Sequence, residues 1–457
     1  MRRQKNSFTK IVIFLVLAVV LAAVVFVYLS PKFEKEGPKV TTENSLFWNG
    51  KDELTISLYD ESGIKSYSAY YIGSNGPVVI NNQEISSKQT NVTFNLEGIR
   101  LTPNAKNVKI IIEATDASNW NFFQGNSVTK EFILDVDKKR PVANVISNSY
   151  NIRQGGSAAV VVEVKDENLS DKYITFNNEY RFELIPYKKE NFYVAIIAWP
   201  VWEDEFSRVN LVAIDKANNK TISKVPLYIK DLKIKNDKIK ISKNFIERKS
   251  IPVLQRSDFE VPTSDIDIFV KQNRDLRVNN VATIRKASLK NMSKEMVSKF
   301  DLRPFRRLSG SKTFAGFAER RHYYYEGDKI DEAWHLGMDW ASIKHATIKV
   351  SNDGKVIFND YLGIYGNTLV IDHGFGVQSL YAHTSKSFVQ DSENVNAGDK
   401  IATTGSSGAV FGDHLHFGVL VQGIEVNPLE WMDKNWIKTR ISNILQEADY
   451  TIKSSKE

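Results

Sequence analysis

Gly412-Asp413-His414-Leu415-His416-Phe417-Gly418 and Trp334-His335-Leu336-Gly337-Met338-Asp339 are the stretches whose reading decides this chain. The first is His-x-His and the second is His-x-x-x-Asp. Only seven histidines occur in 457 residues, so a pair at i and i+2 is a poor accident of composition. On a β-strand such residues share a face, and His414 and His416 can point into one site. Gly337 makes a poor helix interior, because Gly costs about 1 kcal/mol there relative to Ala. Read as extended, the segment puts His335 and Asp339 on one face, with Gly337 leaving space between them. Neutral imidazole plus carboxylate suits Zn²⁺ with one position open for water. Alone, His-x-His reads equally as a polar strand and His-x-x-x-Asp is weaker evidence still; together, in a Gly-rich β pattern, they favour a metal. Ser379-Leu380-Tyr381-Ala382-His383 adds a histidine at the end of an alternating apolar strand. Hydrolysis at a metal needs such a proton carrier. His322 and His345 read as surface or satisfied core histidines.

Around these motifs the chain resembles the lysostaphin-type (LytM-like) zinc endopeptidases of bacterial cell walls. The likeness runs from Phe317 to about Trp431. It rests on His335-Leu336-Gly337-Met338-Asp339, Gly366-Asn367-Thr368-Leu369-Val370-Ile371-Asp372-His373-Gly374, Tyr381-Ala382-His383, Val395-Asn396-Ala397-Gly398-Asp399, and Thr404-Gly405-Ser406-Ser407-Gly408 leading to His414-Leu415-His416-Phe417. The resemblance implies that His335, Asp339 and His416 bind one Zn²⁺. It implies that His383 and His414 activate the water and stabilise the transition state. Ala318 stands where the family usually has Gly, and His345 where it usually has a turn Gly. His373 matches a position read as structural. No ligand position is substituted.

With 42% hydrophobic and 25% charged residues the chain is globular, and its length suits about three domains. The absence of cysteine excludes disulfides and thiolate ligands. The net charge of +7 suits a polyanionic wall or a Lys-rich exterior. No interleaved aromatic and basic stripe points to nucleic acid. Residues 11–29 form an unbroken apolar run that would span about 28 Å as a helix, close to a bilayer core. Arg2, Arg3, Lys5 and Lys10 precede it without an acid, so the first residues are expected in the cytoplasm and the rest outside. Tyr28-Leu29-Ser30-Pro31 offers no Ala-x-Ala cleavage site, which favours an uncleaved anchor over a signal peptide.

Between anchor and metal motifs lies a repeat. Ile56-Ser57-Leu58-Tyr59-Asp60-Glu61-Ser62 recurs as Val162-Glu163-Val164-Lys165-Asp166-Glu167-Asn168. Likewise Ile110-Ile111-Ile112-Glu113-Ala114-Thr115-Asp116 recurs as Val209-Asn210-Leu211-Val212-Ala213-Ile214-Asp215. The offset is about 100 residues, one immunoglobulin-sized sandwich. Asp60 and Asp166 read as turn formers rather than Ca²⁺ ligands. Residues 231–300 form a connector, with a basic, alternating start. Its Gly-free part, 259–299, mixes helical and extended patterns and either packs on the next domain or covers its cleft. Trp436, Ile437, Ile441, Ile444 and Leu445 recur at helical spacing.

The expected fold is mainly β. A cytoplasmic tail (1–10) leads to a transmembrane helix (11–30) and a linker (31–45). Two Ig-like β-sandwiches (46–137 and 138–230) and a small α+β connector (231–300) follow. An antiparallel β catalytic domain of the LytM, duplicated hybrid motif type (301–433) then precedes a C-terminal amphipathic helix and tail (434–457). The expected activity is that of a zinc metallopeptidase anchored in the bacterial cytoplasmic membrane through residues 11–30, facing the periplasm or wall and cutting peptidoglycan peptides. Nucleic acid is not an expected partner, and no protein partner is legible. The alternatives are a catalytically silent wall-binding activator of another hydrolase and a zinc protease acting on envelope proteins. Relatives of the silent type lose ligands, which this chain keeps.

Overall fold

Periodicity 2 dominates the chain, and a computed structural model shows the mainly β architecture that this periodicity specifies. It describes residues 6–454 apart from 44–45, 74–75, 102–103 and 231. Arg2, Arg3 and Lys5 of the basic N-terminal segment and the end of the expected tail lie outside the described residues. Two compact units are distinguished: residues 1–141 with 167–170 and 214–220, and the remainder.

In the first unit the apolar run forms the helix Asn6–Leu29. Its stretch Phe8–Leu29 is long and apolar enough to cross a membrane, and none of it is buried in protein. Two sheets follow. One joins Lys39–Thr42, Leu54–Tyr59 and Asn91–Leu96. The other joins five strands, with Asn107–Asp116 between Ser127–Val136 and Ile64–Gly73. Leu54, Ile56 and Leu58 of the first sheet and Ile110, Ile112 and Leu134 of the second belong to one core. The alternation of the sequence therefore becomes two facing apolar surfaces. The first sheet begins at Lys39, ahead of the expected boundary at 46, because Lys39–Thr42 pairs with Leu54–Tyr59. Asp60 forms the expected turn: its Oδ1 accepts from the Ser62 N–H and hydroxyl at 2.8 and 2.6 Å.

In the second unit, Val142–Asn148, Ser157–Lys165 and Phe192–Ala198 lie side by side in one antiparallel sheet. Residues 158–162 are buried on both faces, unlike the alternating strands of the first unit. Residues of the C-terminal helix Asn443–Ser454 lie against this sheet, and the Ser147 hydroxyl donates to the Ile444 carbonyl at 2.9 Å. Double coverage is why Ala158-Ala159-Val160-Val161-Val162 is a continuous apolar run.

The connector is more ordered than its mixed pattern suggests. Lys235–Lys240 pairs in parallel with Glu319–Tyr325. Helical segments run over 243–256 and 265–290, started by Ser242 and Ser264, whose hydroxyls accept from Phe245 N and Asp267 N. Each contains a π-turn, Ile246–Ser250 and Gln272–Leu276. Leu254, Phe269, Leu276 and Ile284 share a core with Val370, Leu380 and Leu420. These helices are part of the domain's interior.

The domain's main sheet runs Lys312–Ala315, Met338–Ala341, Leu415–Val421, Val377–Ala382, Gly366–Asp372, Gly354–Leu362, Asn394–Val395, antiparallel throughout. Leu415–Val421 is central and wholly buried.

Candidate metal centre

Strand register brings the motifs together. Asp339 sits opposite His416 in the pairing of Met338–Ala341 with Leu415–Val421, and Ala382 sits opposite His416 on its other side. His335 reaches the group differently from expectation. The segment is not one extended run: His335 lies in the short connection between the strands Asp328–Trp334 and Met338–Ala341. Gly337 makes room not between His335 and Asp339 but for the His416 ring, since a Cβ there would lie 2.6 Å from His416 Nε2.

His335, Asp339 and His416 could together hold a metal ion. His335 Nε2 lies 3.0 Å from Asp339 Oδ2 and 3.2 Å from His416 Nδ1, and His416 Nδ1 lies 2.8 Å from Asp339 Oδ1. A tetrahedral ion with bonds of about 2.0–2.1 Å has donors roughly 3.3 Å apart, so the set fits zinc. Two imidazole nitrogens aimed at one another need a proton or a cation between them. The other nitrogen of His335, Nδ1, bonds to the Gly316 carbonyl at 2.7 Å, which fixes the ring and leaves Nε2 as the donor. Burial lowers the His416 pKa to about 4, so its ring is neutral at neutral pH. Burial pushes the Asp339 carboxyl up, but its interactions with His335 and His416, hydrogen bonds among them, outweigh it and hold the pKa well below the usual range.

His383 and His414 stand beside this group, with ring centroids 4.9 Å apart; the His383 ring is 5.8 Å from that of His416. His383 follows the strand Val377–Ala382 with φ of 61°, a left-handed conformation that an L-residue rarely adopts. Nδ1 of His383 bonds to the Ser407 carbonyl at 2.9 Å, and Nδ1 of His414 to the Gly412 carbonyl at 3.1 Å. A carbonyl only accepts, so each Nδ1 carries the proton and each Nε2 keeps its lone pair. Burial first, then the neighbouring His414 and His416, holds the His383 pKa well below its ordinary value.

The remaining histidines are held elsewhere. His373 bonds to the Asp353 carbonyl and the Ser379 hydroxyl, both at 2.7 Å. His345 adopts φ of 53° and bonds to Ser385 and Thr404. A left-handed φ explains why a turn glycine would suit that position. His322 bonds to Asn236 at 3.0 Å.

One residue escaped the sequence reading, and the two alternatives given for the connector, packing on the domain or covering its cleft, are not exclusive. Arg321 donates to Asp339 Oδ2 at 3.2 Å, and only its neighbourhood to the motif Phe317-Ala318-Glu319-Arg320 hinted at it. The connector also lines the cavity over the histidines, of about 390 Å³, through Phe245, Phe269, Gln272, Asn273 and Arg277. Nothing in local spacing signals that. Carboxylates also gather in the first unit at Glu34, Asp60 and Asp116. There burial, then Asp60, raises the Glu34 pKa to about 7.

The model of peptidase family M23 matches residues 333–428. The chain is 40% identical over 107 residues to the DD-carboxypeptidase/endopeptidase Mpg of Neisseria meningitidis serogroup B, covering 23% of this chain and 25% of that protein. It is 35% identical over 113 residues to the murein hydrolase activator EnvC of Escherichia coli K12, covering 25% and 27%. The chain thus spans about a quarter of the length of the curated relatives it matches. The catalytic domain of lysostaphin from Staphylococcus simulans is similar at 24% identity and a TM-score of 0.24, over 27% of this chain and 94% of that one. The C-terminal part of this protein, residues 333–428, is a peptidase M23 domain of LytM type.

Proposed function

We propose that this chain is a membrane-anchored zinc metallopeptidase that hydrolyses peptide cross-links of peptidoglycan. The observation that carries the reading is the complete donor set at tetrahedral spacing, with two imidazoles beside it whose Nε2 atoms are free to accept a proton. His335, Asp339 and His416 would hold the ion. Zinc, when bound, supplies Lewis acidity to a scissile carbonyl and lowers the pKa of water. The chain's own groups do the rest. His383 and His414 move the proton: the Nε2 of one accepts it from the attacking water, and the ring so protonated can then donate toward the developing oxyanion or the leaving amine. Gly316 and Arg321 keep His335 and Asp339 oriented. The relatives' names supply the wall substrate, and residues 11–30 supply the attachment to the cytoplasmic membrane. The two β modules, 46–137 (with Lys39–Thr42 before it) and 138–230, serve as Ig-like spacers.

A second reading is favoured by the similarity to proteins named murein hydrolase activators: a silent protein that stimulates another enzyme. One assay separates the two. The full-length chain in detergent, given zinc, should release soluble fragments from purified peptidoglycan, and a chelator should stop it. An activator would release nothing by itself and would raise the rate of an added wall hydrolase.

A further inference from the structure

The connector contributes a cation to the cavity over the candidate metal centre, and among the described residues no carboxylate forms an ion pair with it. Arg277 Nε donates to the Asn273 carbonyl at 3.1 Å and Nη2 donates to Asn273 Oδ1 at 2.7 Å. Asn273 is itself buried and clamped, its amide donating to Asp331 Oδ2 at 2.8 Å and to the Glu332 carbonyl at 3.3 Å. The guanidinium is therefore held rigidly while Nη1 and one N–H of Nη2 have no partner among the described residues. No carboxylate pairs with it among those residues: Asp331 is taken by Arg274, at 2.9 Å. Glu425 stands near enough to feel its charge but makes no ion pair with it.

The cavity's charge is lopsided. Arg277, Lys240 and Arg321 line it, against a single carboxylate, Asp339, and Arg321 is committed to that carboxylate. Lys240 is exposed and makes no side-chain ion pair among the described residues. The adjoining groove on the other side of Asp339 has more carboxylates than cations in its walls, Asp237, Glu319, Asp339 and Asp413 against Arg321, although Lys235 pairs with the first two. A half-buried, unpaired guanidinium is costly unless an anion arrives to meet it, and its planar fork matches a carboxylate.

We propose that Arg277, assisted by Lys240, forms a subsite for a free carboxylate of the substrate, so that the preferred substrate is a peptide bearing an unamidated carboxylate close to the bond that is cut. The proposal rests on the peptidase reading and deepens it. It makes the connector a wall of the substrate site. The carboxylate lies on the connector side, because the acidic groove would repel it.

Acetyl-D-alanyl-D-alanine as the free acid and as its C-terminal amide are suitable probes, with binding to the zinc-loaded full-length protein in detergent followed by ligand-observed NMR. The acid should bind about tenfold or more tightly than the amide, the scale of one charge-assisted contact. Arg277→Gln should abolish that preference and Arg277→Lys should retain part of it. Equal binding of acid and amide to the native protein would overturn the proposal. A preference that survives Arg277→Gln would overturn it as well, by assigning the carboxylate to the metal. If Arg277→Gln fails to fold, Lys240→Gln, at an exposed position, must lower the acid-to-amide ratio, or the subsite falls. On peptidoglycan whose carboxylates have been amidated with carbodiimide and ammonia, the native rate should drop to that of Arg277→Gln. Faster cutting of untreated peptidoglycan by Arg277→Gln would make the connector a cover and overturn the subsite. An Arg277-dependent preference for the acid, with no cutting by the native protein, would sink the peptidase reading and leave the subsite standing.

Discussion

At position 337 a side chain is excluded because the His416 ring occupies its place. A Cβ on Gly337 would sit 2.6 Å from His416 Nε2 and from the Phe417 carbonyl. Gly337→Ala should therefore displace His416 and weaken zinc binding about 10–100-fold, on the scale of lost outer-shell support, although no donor is removed. Titration against a competing chelator checks this; unchanged affinity would show that the ring has room elsewhere. His416→Ala should remove zinc altogether while the rest stays folded, which elemental analysis of the purified variant decides. His383→Ala or His414→Ala should keep stoichiometric zinc and lose roughly 10²–10⁴-fold in rate. Near-normal turnover in the double variant would take proton transfer away from them. The five residues at the centre were legible because each sits in a short motif whose spacing restricts its direction. Arg321 and Arg277 were not, since each acts across a tertiary contact, from the strand Glu319–Tyr325 and from the helix Arg277–Lys290. The role first given to Gly337 was also local, whereas the atom it accommodates comes from the neighbouring strand.

Among the elements, the connector is where pattern and structure part company. Its helices carry π-turns at Ile246–Ser250 and Gln272–Leu276, and each extra residue per turn shifts the phase of the apolar face. A periodicity of 3.6 cannot be followed through such a shift, so 259–299 looked partly extended. The buried positions nevertheless mark the segment as core. Leu276→Ala, at a residue with no exposed surface, should cost about 2–5 kcal/mol of stability, measured by denaturant unfolding. A loss below 0.5 kcal/mol would mean the connector detaches freely. The helix after the strand Ile424–Val426 makes a pH prediction. Burial raises the pKa of Glu430 from about 4.5 to about 7, against the opposing pull of the Ser157 N–H and of Arg153, Arg440 and Lys230. The folded state thus binds this proton more tightly than the unfolded state. Its contribution is full below pH about 4.5 and is lost as pH rises through about 7. Glu430→Gln should flatten the fall of the melting temperature across that window in scanning calorimetry. Glu425, raised to about 7 by burial, has the same sign and leaves a residual slope. A slope unchanged by the substitution would contradict the assignment.

For the whole molecule, composition and periodicity spoke plainly about class. The apolar helix and the alternating strands of the first unit follow from hydrophobic patterns that need no tertiary information, whereas the antiparallel sheet of the M23 domain was legible through the resemblance of its motifs. The first sheet's true beginning at Lys39 was legible in neither way, because an edge strand of four residues is recognisable only by its pairing with Leu54–Tyr59. The apolar helix Asn6–Leu29, proposed as an anchor, carries its own prediction: fractionated cells should yield the full-length protein in the membrane fraction, with everything after residue 31 accessible to protease from outside. A soluble form beginning near residue 31 would make the apolar run a cleaved signal. The most direct test of the account is to digest purified peptidoglycan with the zinc-loaded full-length protein and identify the products by mass spectrometry, with His416→Ala alongside. The account predicts newly freed amino and carboxyl groups within the peptides, glycan strands left intact, and no products from the variant. Cut glycan strands, products that persist in His416→Ala, or no products from a protein carrying stoichiometric zinc would contradict it.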